Sequence, residues 1–249
     1  MKLAVSGKGG AGKTTISGTI ARALARAGHD VIAIDADINP MLGISLGLGM
    51  DGTERLTGMR QDLSESGNSD DAVHEHTIEG LIERFSTAAP DGVRVLVASR
   101  VDMPDHGCLC CGVSADRLLR EMDGEGRTVL GDLEAGIGVL ARMEVGSLDL
   151  VLVVANPTPK SIEVARRAVE AARARDIDVL VIANRVANAE DLETITAVLG
   201  DNEIVVVPDD PVIARADAEG LAPIDLDAGS PGVRAIVQIS ERFAVPQPV

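Results

Sequence analysis

The sequence predicts an α/β fold with a doubly wound, mostly parallel sheet and helices on both faces. Short apolar runs alternate along the chain with segments in which apolar residues recur every three or four positions. The apolar runs are continuous, as expected of strands that are covered on both faces. The first run also leads through a glycine-rich loop into a helical segment, which is a strand–loop–helix junction typical of parallel α/β folds.

Seven apolar runs are predicted to form the strands. Val, Ile and Leu dominate them, and these side chains favour strands buried between two layers of helices. The runs cover residues 3–5, 31–34, 93–97, 128–130, 150–154, 178–182 and 204–207. The run at 150–154 contains only Leu and Val, which predicts a central strand.

The predicted helices lie between these strands. From Thr14 the apolar spacing is helical as far as Ala27, and Gly28 follows as the predicted C-terminal cap. A second clear helix begins after Thr158, has Pro159 at its first position and is predicted to run to about residue 175.

The chain, residues 1–249, is predicted to be a single domain with an acidic surface insertion at about 51–91. This segment carries ten acidic and three basic residues, so it holds −7 of the net charge of −16. Strand patterning resumes after it, which favours an insertion over a linker between domains. We expect some helix near residues 78–82, and we interpret His74 and His76 as solvated side chains.

The composition excludes several classes of protein. With 23 basic and 39 acidic residues, the chain lacks the basic surface that nucleic-acid binding requires. It has no Trp or Tyr and only two Phe, so it lacks stacking platforms for single strands. No run approaches the roughly 18 apolar residues of a membrane span. The three cysteines are clustered and the N-terminus has no leader pattern, so we expect a cytoplasmic protein with no nucleic-acid or membrane partner.

The glycine-rich loop after the first strand satisfies the P-loop pattern of Gly, four residues and then Gly-Lys-Thr. Its glycines allow backbone N–H groups to surround phosphate oxygens, and the following helix N-terminus favours anions. Lys13 should reach the β- and γ-phosphates, and the Thr14 hydroxyl should bind Mg²⁺. The fold class is therefore that of a P-loop NTPase. The predicted nucleotide-binding residues here are Gly7, Gly9, Gly10, Ala11, Gly12, Lys13, Thr14 and Thr15.

Lys8 makes the loop more specific. The run Lys-Gly-Gly-x-Gly-Lys-Thr-Thr resembles the deviant Walker A motif of the MinD, ParA, arsenite-pump and nitrogenase iron protein class of ATPases. The resemblance implies that Lys8 crosses to the nucleotide of a partner subunit, and that ATP assembles a face-to-face homodimer. Lys8 would then act like an arginine finger on phosphoryl transfer.

Further family positions follow the strands. Asp35 and Asp37 lie at the end of the second strand, where an acidic residue can meet Mg²⁺ or the attacking water. The resemblance implies that Asp37 orients this water. The run Asp132-Leu-Glu-Ala-Gly136 resembles the family's second switch, which implies that Asp132 holds Mg²⁺ and Gly136 senses the γ-phosphate.

Two strand ends resemble the family's adenine-binding segments. Asn184 and Arg185 follow the strand at 178–182, and the Asn184 amide offers a donor and an acceptor to a base edge. Pro208 and Asp210 follow the strand at 204–207 and resemble a segment that borders the base. The resemblance therefore implies an adenine pocket between these ends.

A cysteine cluster adds a second chemistry. Cys108 and Cys110 place two thiols on one side of an extended segment, and a twofold dimer would double them to four. Four thiolates suit Zn²⁺, Ni²⁺ or an iron–sulfur cluster. Cys111 is a possible alternative ligand or resolving thiol, and His106 is a possible extra ligand.

A Cys-x-Cys before the second switch resembles the CooC-type ATPases, which serve carbon monoxide dehydrogenase maturation. The resemblance implies an ATP-dependent factor that inserts nickel into carbon monoxide dehydrogenase, with nickel or zinc at the dimer interface. One alternative is an ATP-gated reductase with a 4Fe-4S cluster, resembling the nitrogenase iron protein. Another is a ParA- or MinD-type positioning ATPase, which leaves the cysteines without a role.

Overall fold

The computed structural model describes residues 1–56, 78–98, 115–124 and 126–243. Within them, eight strands form one sheet in the order β3-β4-β2-β5-β1-β6-β7-β8. All neighbouring pairs are parallel except β3 and β4. The strands are β1 (Lys2–Gly7), β2 (Val31–Asp35), β3 (Thr87–Ala88), β4 (Arg94–Val97), β5 (Thr128–Asp132), β6 (Leu150–Ala155), β7 (Asp178–Val186) and β8 (Glu203–Pro208).

Eleven α-helices are described between and after these strands. They are α1 (Lys13–Arg26), α2 (Leu42–Ser45), α3 (Gly49–Glu54), α4 (Ile78–Phe85), α5 (Ala115–Glu121), α6 (Gly138–Arg142), α7 (Pro159–Arg173), α8 (Ala189–Leu199), α9 (Pro211–Glu219), α10 (Pro223–Leu226) and α11 (Pro231–Glu241). A short 3₁₀ turn, Pro90–Gly92, precedes β4. The predicted α/β fold with a mostly parallel sheet is confirmed.

Two hydrophobic clusters cover the two faces of the sheet. One contains Ile32 and Val153 with residues of α5 and α7, and the other contains Leu3 and Leu152 with residues of α1 and α11. Adjacent residues such as Leu152 and Val153 belong to opposite clusters because side chains alternate across a strand. The central strands are therefore buried on both sides, which explains their continuous apolar runs.

The predicted strand positions agree with the structure, but most strands continue further at their carboxyl ends. β2 and β5 extend to Asp35 and Asp132, and β7 continues to Val186. These extensions contain polar residues or irregular pairing. The strands predicted from apolar runs therefore ended too early. The two-residue β3 was not predicted. α7 begins at Pro159 as predicted and ends at Arg173, while Thr158 occupies the N-cap position without a side-chain cap bond.

Part of the segment at 51–91 packs into the core. Leu81 and Ile82 of α4 are fully buried beside the sheet, and Leu56 is buried near α2 and α3. His74 and His76 lie outside the described residues. No helix in the described part of the chain is long and apolar enough to cross a membrane.

Candidate nucleotide-binding site

The phosphate loop joins the end of β1 to the start of α1 at the centre of the sheet. Gly7 has φ +149°, and a Cβ there would lie 2.5 Å from the carbonyl oxygen of Val154 on the adjacent β6. Gly12 has φ +99°, and its Cβ would lie 2.4 Å from Asn184 Nδ2. Both positions therefore require glycine, because left-handed backbone and close contact each exclude a side chain.

The loop is electrostatically suited to phosphate. The first turn of α1 contains no acidic residue, so its free N–H groups and positive dipole end are not neutralised there. Lys13 is buried, with 7% of its surface exposed. Burial raises the pKa of Asp132, and the charge of Lys13 partly offsets this effect. The loop holds its own shape through a hydrogen bond from Ala11 N–H to the Lys8 carbonyl at 3.1 Å.

Two buried carboxylates lie beside the loop. Asp35 and Asp132 are register partners at the ends of β2 and β5, with exposures of 1% and 2%. Burial and the charge of Asp132 raise the pKa of Asp35 to about 8. Burial also raises the pKa of Asp132, to about 6. Two adjacent carboxylates out of water repel one another, so a shared proton or a cation stabilises the pair.

Hydroxyl groups from α1 surround Asp132. Ser17 Oγ donates a hydrogen bond to Asp132 Oδ1 at 3.0 Å, and the Thr14 hydroxyl also bonds to this carboxylate. Carboxylate and hydroxyl oxygens are hard ligands of the kind that Mg²⁺ prefers. The donor set of Thr14, Asp35 and Asp132 therefore fits Mg²⁺. The contact from Ser17 was not predicted, although its place three residues after Thr14 on one helix face was a usable signal.

The remaining predicted switch residues lie at the same edge of the sheet. Asp37 is partly exposed; its N–H donates to Asp35 Oδ1 at 3.1 Å, and its Oδ1 accepts from Asn39 N–H at 3.0 Å. Gly136 has φ +96°, and its N–H donates to the Gly7 carbonyl at 3.0 Å. The Gly136 segment is thus joined directly to the first residue of the phosphate loop.

Lys8 differs from Lys13 in its surroundings. It is partly exposed, and its ammonium donates to the adjacent Gly9 carbonyl at 3.2 Å. Gly9 and Gly10 are also exposed. The side chain of Lys8 therefore remains on the outer side of the loop.

The predicted adenine-binding residues surround a cavity of about 300 Å³. Asn184 is buried, and its Nδ2 donates to the Ala11 carbonyl at 2.7 Å, which ties the cavity to the phosphate loop. Arg185 has φ +59° at an irregularity in the pairing of β7 with β8. A bulge of this kind re-aims a side chain, and Arg185 lines the cavity.

Asp210 also lines this cavity, but its carboxylate makes local contacts. Its oxygens accept hydrogen bonds from the N–H groups of Val212 at 2.8 Å and Gly232 at 2.6 Å. Burial favours a higher pKa for Asp210, but these hydrogen bonds lower it below its usual value. Asp210 therefore caps α9 and joins it to α11, while Pro208 forms another part of the cavity wall.

A second cavity, of about 560 Å³, lies over the phosphate loop. Gly10, Lys13, Thr14 and Thr15 form its floor. Residues that were not predicted complete the wall: Met41, Ile44, Ser45, Met50, Asp217, Ala218, Glu219 and Gly220. They come from α2, α3 and α9, which have no motif of their own, so only the fold brings them to the loop.

The cysteine cluster lies outside the described residues. This applies to Cys108, Cys110 and Cys111, and also to His106. Among the residues that are described, no group of three or more His, Cys, Asp or Glu is arranged to hold a metal ion.

Comparison with known proteins shows similarity to nucleotide-binding proteins. A family model described as the CobQ/CobB/MinD/ParA nucleotide binding domain matches residues 2–224. The carbon monoxide dehydrogenase accessory protein CooC of Rhodospirillum rubrum is 30% identical over 238 residues, which span 91% of this chain and 90% of that protein. The light-independent protochlorophyllide reductase iron-sulfur ATP-binding protein of the same organism is 30% identical over 227 residues, or 86% and 72% of the two chains.

The fold is also similar to that of a solved structure. The septum site-determining protein MinD of Pyrococcus horikoshii, complexed with Mg-ADP, superimposes with a TM-score of 0.72 over 98% of this chain and 95% of that chain. Its sequence identity is 21%, so this likeness supports the fold alone.

Proposed function

The chain belongs to the CobQ/CobB/MinD/ParA family of P-loop ATPases, and on that premise we propose that it is an ATP-dependent metal-centre maturation factor. The proposed task is nickel insertion into carbon monoxide dehydrogenase. The observation that carries this proposal is the 30% identity to CooC over nine-tenths of both chains. The Cys-x-Cys at 108–110 supports it, because it supplies soft ligands for a metal cargo.

ATP binding rests on the described site. The loop glycines and the N-terminus of α1 surround the phosphates, and Lys13 neutralises the β- and γ-phosphates. Mg²⁺, when bound, neutralises charge that develops on the transferred phosphoryl group. Thr14, Asp35 and Asp132 are the residues that hold it. Asn184, Arg185, Pro208 and Asp210 border the adenine in the smaller cavity.

Hydrolysis is assigned to three further residues. Asp37 orients the attacking water from the end of β2, and Gly136 places its segment against the γ-phosphate. Lys8 supplies a positive charge to the nucleotide of a second copy of the chain. Its partly exposed position on the outer side of the loop is compatible with this role. ATP therefore favours a homodimer, and hydrolysis reopens it.

The metal cargo binds where two copies meet. Cys108 and Cys110 of each chain together provide four thiolates, which suit square-planar Ni²⁺ or tetrahedral Zn²⁺. Metal and ATP each favour the closed dimer, so each strengthens the binding of the other. Cys111 is an alternative ligand in this scheme.

A double substitution tests the cargo site. Replacing Cys108 and Cys110 by Ser should abolish nickel binding that depends on ATP, while affinity for a non-hydrolysable ATP analogue stays unchanged. Equilibrium dialysis with nickel analysis under anaerobic conditions measures both. Cys111→Ser is the matched control and should retain most of the nickel. Unchanged nickel stoichiometry in the double variant contradicts the proposal.

A second candidate is an ATP-gated reductase with a 4Fe-4S cluster. The likeness to the protochlorophyllide reductase iron-sulfur ATP-binding protein favours it. The run from Asp132 to Gly138 contains no cysteine, so a cluster would depend on residues 108–111 alone. Anaerobically purified protein with the absorbance of an iron–sulfur cluster would favour this candidate over the nickel factor.

A third candidate, a positioning ATPase of the ParA or MinD type, has less support. Its support is the fold shared with MinD, which is common to many functions. The net charge of −16 opposes a nucleic-acid partner, and this candidate gives the cysteines no role.

A further inference from the structure

Asn156 follows β6 directly and lies beside the phosphate loop. In the parallel pairing of β1 with β6, Gly7 is the register partner of Val154, so Asn156 is two residues beyond this contact. A Cβ on Gly7 would lie 2.5 Å from the Val154 carbonyl oxygen, which shows how closely the two strand ends approach. Asn156 is therefore held next to the first residues of the loop.

The backbone around Asn156 is fixed by short hydrogen bonds. Its N–H donates to Ser161 Oγ at 3.0 Å, and its carbonyl accepts from Thr158 N–H at 2.7 Å. Ser161 is fully buried in the first turn of α7. The side chain of Asn156 is thus presented to the loop from a rigid base.

Only the nitrogen of the Asn156 side-chain amide makes a hydrogen bond among the described residues. Its Nδ2 donates to the Gly10 carbonyl at the long distance of 3.5 Å. Its Oδ1 is buried and has no hydrogen-bond partner within the described part of the chain. A buried amide oxygen without a donor is unfavourable, because it has lost its hydrogen bonds to water and gained none in return. Buried polar atoms without a partner are rare in folded proteins. One explanation for the Asn156 oxygen is that its donor reaches it only in another state of the loop.

Lys8 lies two residues before Gly10, whose carbonyl accepts the hydrogen bond from the Asn156 amide. Its ammonium contacts only the exposed carbonyl of its neighbour Gly9 among the hydrogen bonds described, and an exposed contact of this kind stabilises little. Gly10 has φ +76° and no atom lies within 4 Å of its Cβ position, so the space beside Gly10 is open to the Lys8 side chain.

We propose that Asn156 is a positioning residue of the phosphate loop: its Nδ2 holds the Gly10 carbonyl, and its Oδ1 accepts a hydrogen bond from the Lys8 ammonium when nucleotide fills the loop. The contact satisfies the buried amide oxygen and fixes the direction in which Lys8 points. This inference rests on the proposed ATPase function, in which Lys8 acts on phosphate charge.

The scarcity of lysine makes a direct test practical. The chain has only four lysines, Lys2, Lys8, Lys13 and Lys160, so ¹⁵N-lysine labelling gives at most four side-chain ammonium signals. With a non-hydrolysable ATP analogue and Mg²⁺, the Lys8 signal should show slowed proton exchange. Asn156→Ala should abolish this protection and leave the Lys13 signal unchanged. Asn156→Asp keeps an acceptor oxygen and should retain the protection.

Turnover gives an independent readout. Asn156→Ala should lower kcat about tenfold while KM for ATP changes less than about twofold, since the phosphate contacts of Lys13 and the loop N–H groups remain. Asn202→Ala is the matched control, because its Nδ2 also donates to a backbone carbonyl, that of Leu199 at 2.8 Å, far along the chain from the loop. This control should leave kcat and the Lys8 signal unchanged.

Three results would overturn the inference. One is an unchanged Lys8 signal in Asn156→Ala, and another is an unchanged kcat. The third is a joint loss of kcat, analogue affinity and thermal stability, which indicates a purely structural role. A wild-type chain that binds the analogue but hydrolyses no ATP would contradict the proposed ATPase function. The ammonium signals would still test the hydrogen bond between Lys8 and Asn156.

Discussion

At the residue scale, Gly12 is where the phosphate loop meets the cavity lined by Asn184. Its φ of +99° and the 2.4 Å separation between its Cβ position and Asn184 Nδ2 leave no room for a methyl group. Gly12→Ala should weaken binding of an ATP analogue at least about tenfold, or about 1.4 kcal/mol, because Asn184 and the loop must move apart. Isothermal titration calorimetry measures this affinity.

Gly28→Ala is the control that separates backbone strain from side-chain contact. Gly28 has φ +92° at the end of α1, and nothing lies within 4 Å of its Cβ position. Gly28→Ala should cost about 1 kcal/mol of stability and leave analogue affinity unchanged. Equal losses of affinity in the two variants would show that contact with Asn184 does not matter.

Asp35 makes the stability of the metal-free protein depend on pH. Burial and Asp132 raise the pKa of Asp35 from an ordinary 3.8 to about 8. The folded protein therefore keeps a proton that the unfolded chain has lost, and the stability from this proton is lost as pH rises from about 4 to 8. Between pH 6 and 8, above the pKa of about 6 of Asp132, the free energy of unfolding in EDTA should fall with a slope of up to about 1.4 kcal/mol per pH unit.

Substitution of Asp35 separates this group from other titrations. Asp35→Asn should flatten the slope between pH 6 and 8, above the pKa of about 6 of Asp132, as measured by urea unfolding at several pH values. Asp210→Asn is the control, because the pKa of Asp210 is lowered and its contribution is lost only as pH falls below the ordinary range of Asp. A slope that survives in Asp35→Asn would contradict the assignment.

The sequence made the phosphate loop and both buried carboxylates predictable, since each follows an apolar strand at the carboxyl edge of the sheet. It did not identify Asn156 or Asp217. A single polar residue after a strand resembles an ordinary turn, and only the register of β1 with β6 places Asn156 against Gly10. The hydrogen bond that Asp210 accepts from Gly232 of α11 was also not predictable, because the two residues are 22 positions apart in the sequence.

At the element scale, an ion cluster anchors α1. Arg22 has a side chain only 3% exposed, and it pairs with Asp91 in the 3₁₀ turn and with Asp225 of α10 at 2.8 Å. It also donates to the Leu46 carbonyl at 2.9 Å. α1 is thereby connected to three segments that are distant in sequence, and the phosphate loop is fixed to the start of this helix.

Removing the Arg22 charge should destabilise the fold. Arg22→Met keeps much of the apolar stem and should lower the free energy of unfolding by about 2 kcal/mol. This is less than the roughly 3–5 kcal/mol for breaking a fully buried pair, because the Asp91 and Asp225 side chains are 25% and 45% exposed. Urea denaturation with analysis of the midpoint and slope measures the change.

Arg166 on α7 is the matched control. It pairs with Glu163 and Glu170 on the helix surface, where ion pairs contribute little. Arg166→Met should leave the unfolding midpoint unchanged. If the two Arg variants behaved alike, the cluster around Arg22 would have no special role in holding α1.

Strands were easier to predict than the small helices. Parallel strands buried on both faces leave continuous apolar runs, whereas α2 and α3 are four and six residues long and too short to show a helical period. α2 is held in place because Asp35 Oδ2 accepts the N–H of Leu42 at 2.8 Å and because Gly18 of α1 allows α2 to pack closely at Ser45. These are tertiary contacts that local sequence does not reveal.

At the scale of the whole molecule, the negative net charge of the chain opposes the proposed dimerisation. Two copies of a chain with a net charge of −16 repel, so a face-to-face dimer needs compensating cations. In the proposed dimer Lys8 would provide one in each copy, and a metal shared by the cysteines of both copies would join the two chains by coordination bonds. ATP binding and metal binding are therefore expected to depend on each other, which is the central claim about function.

Native mass spectrometry of the anaerobically prepared protein tests this claim most directly. Nickel and a non-hydrolysable ATP analogue together should give a dimer that carries one nickel ion per two chains. Nickel alone or analogue alone should leave a larger fraction of monomer. Protein that remains monomeric with both present, or a dimer that contains no metal, would contradict the proposed coupling of ATP binding to metal binding.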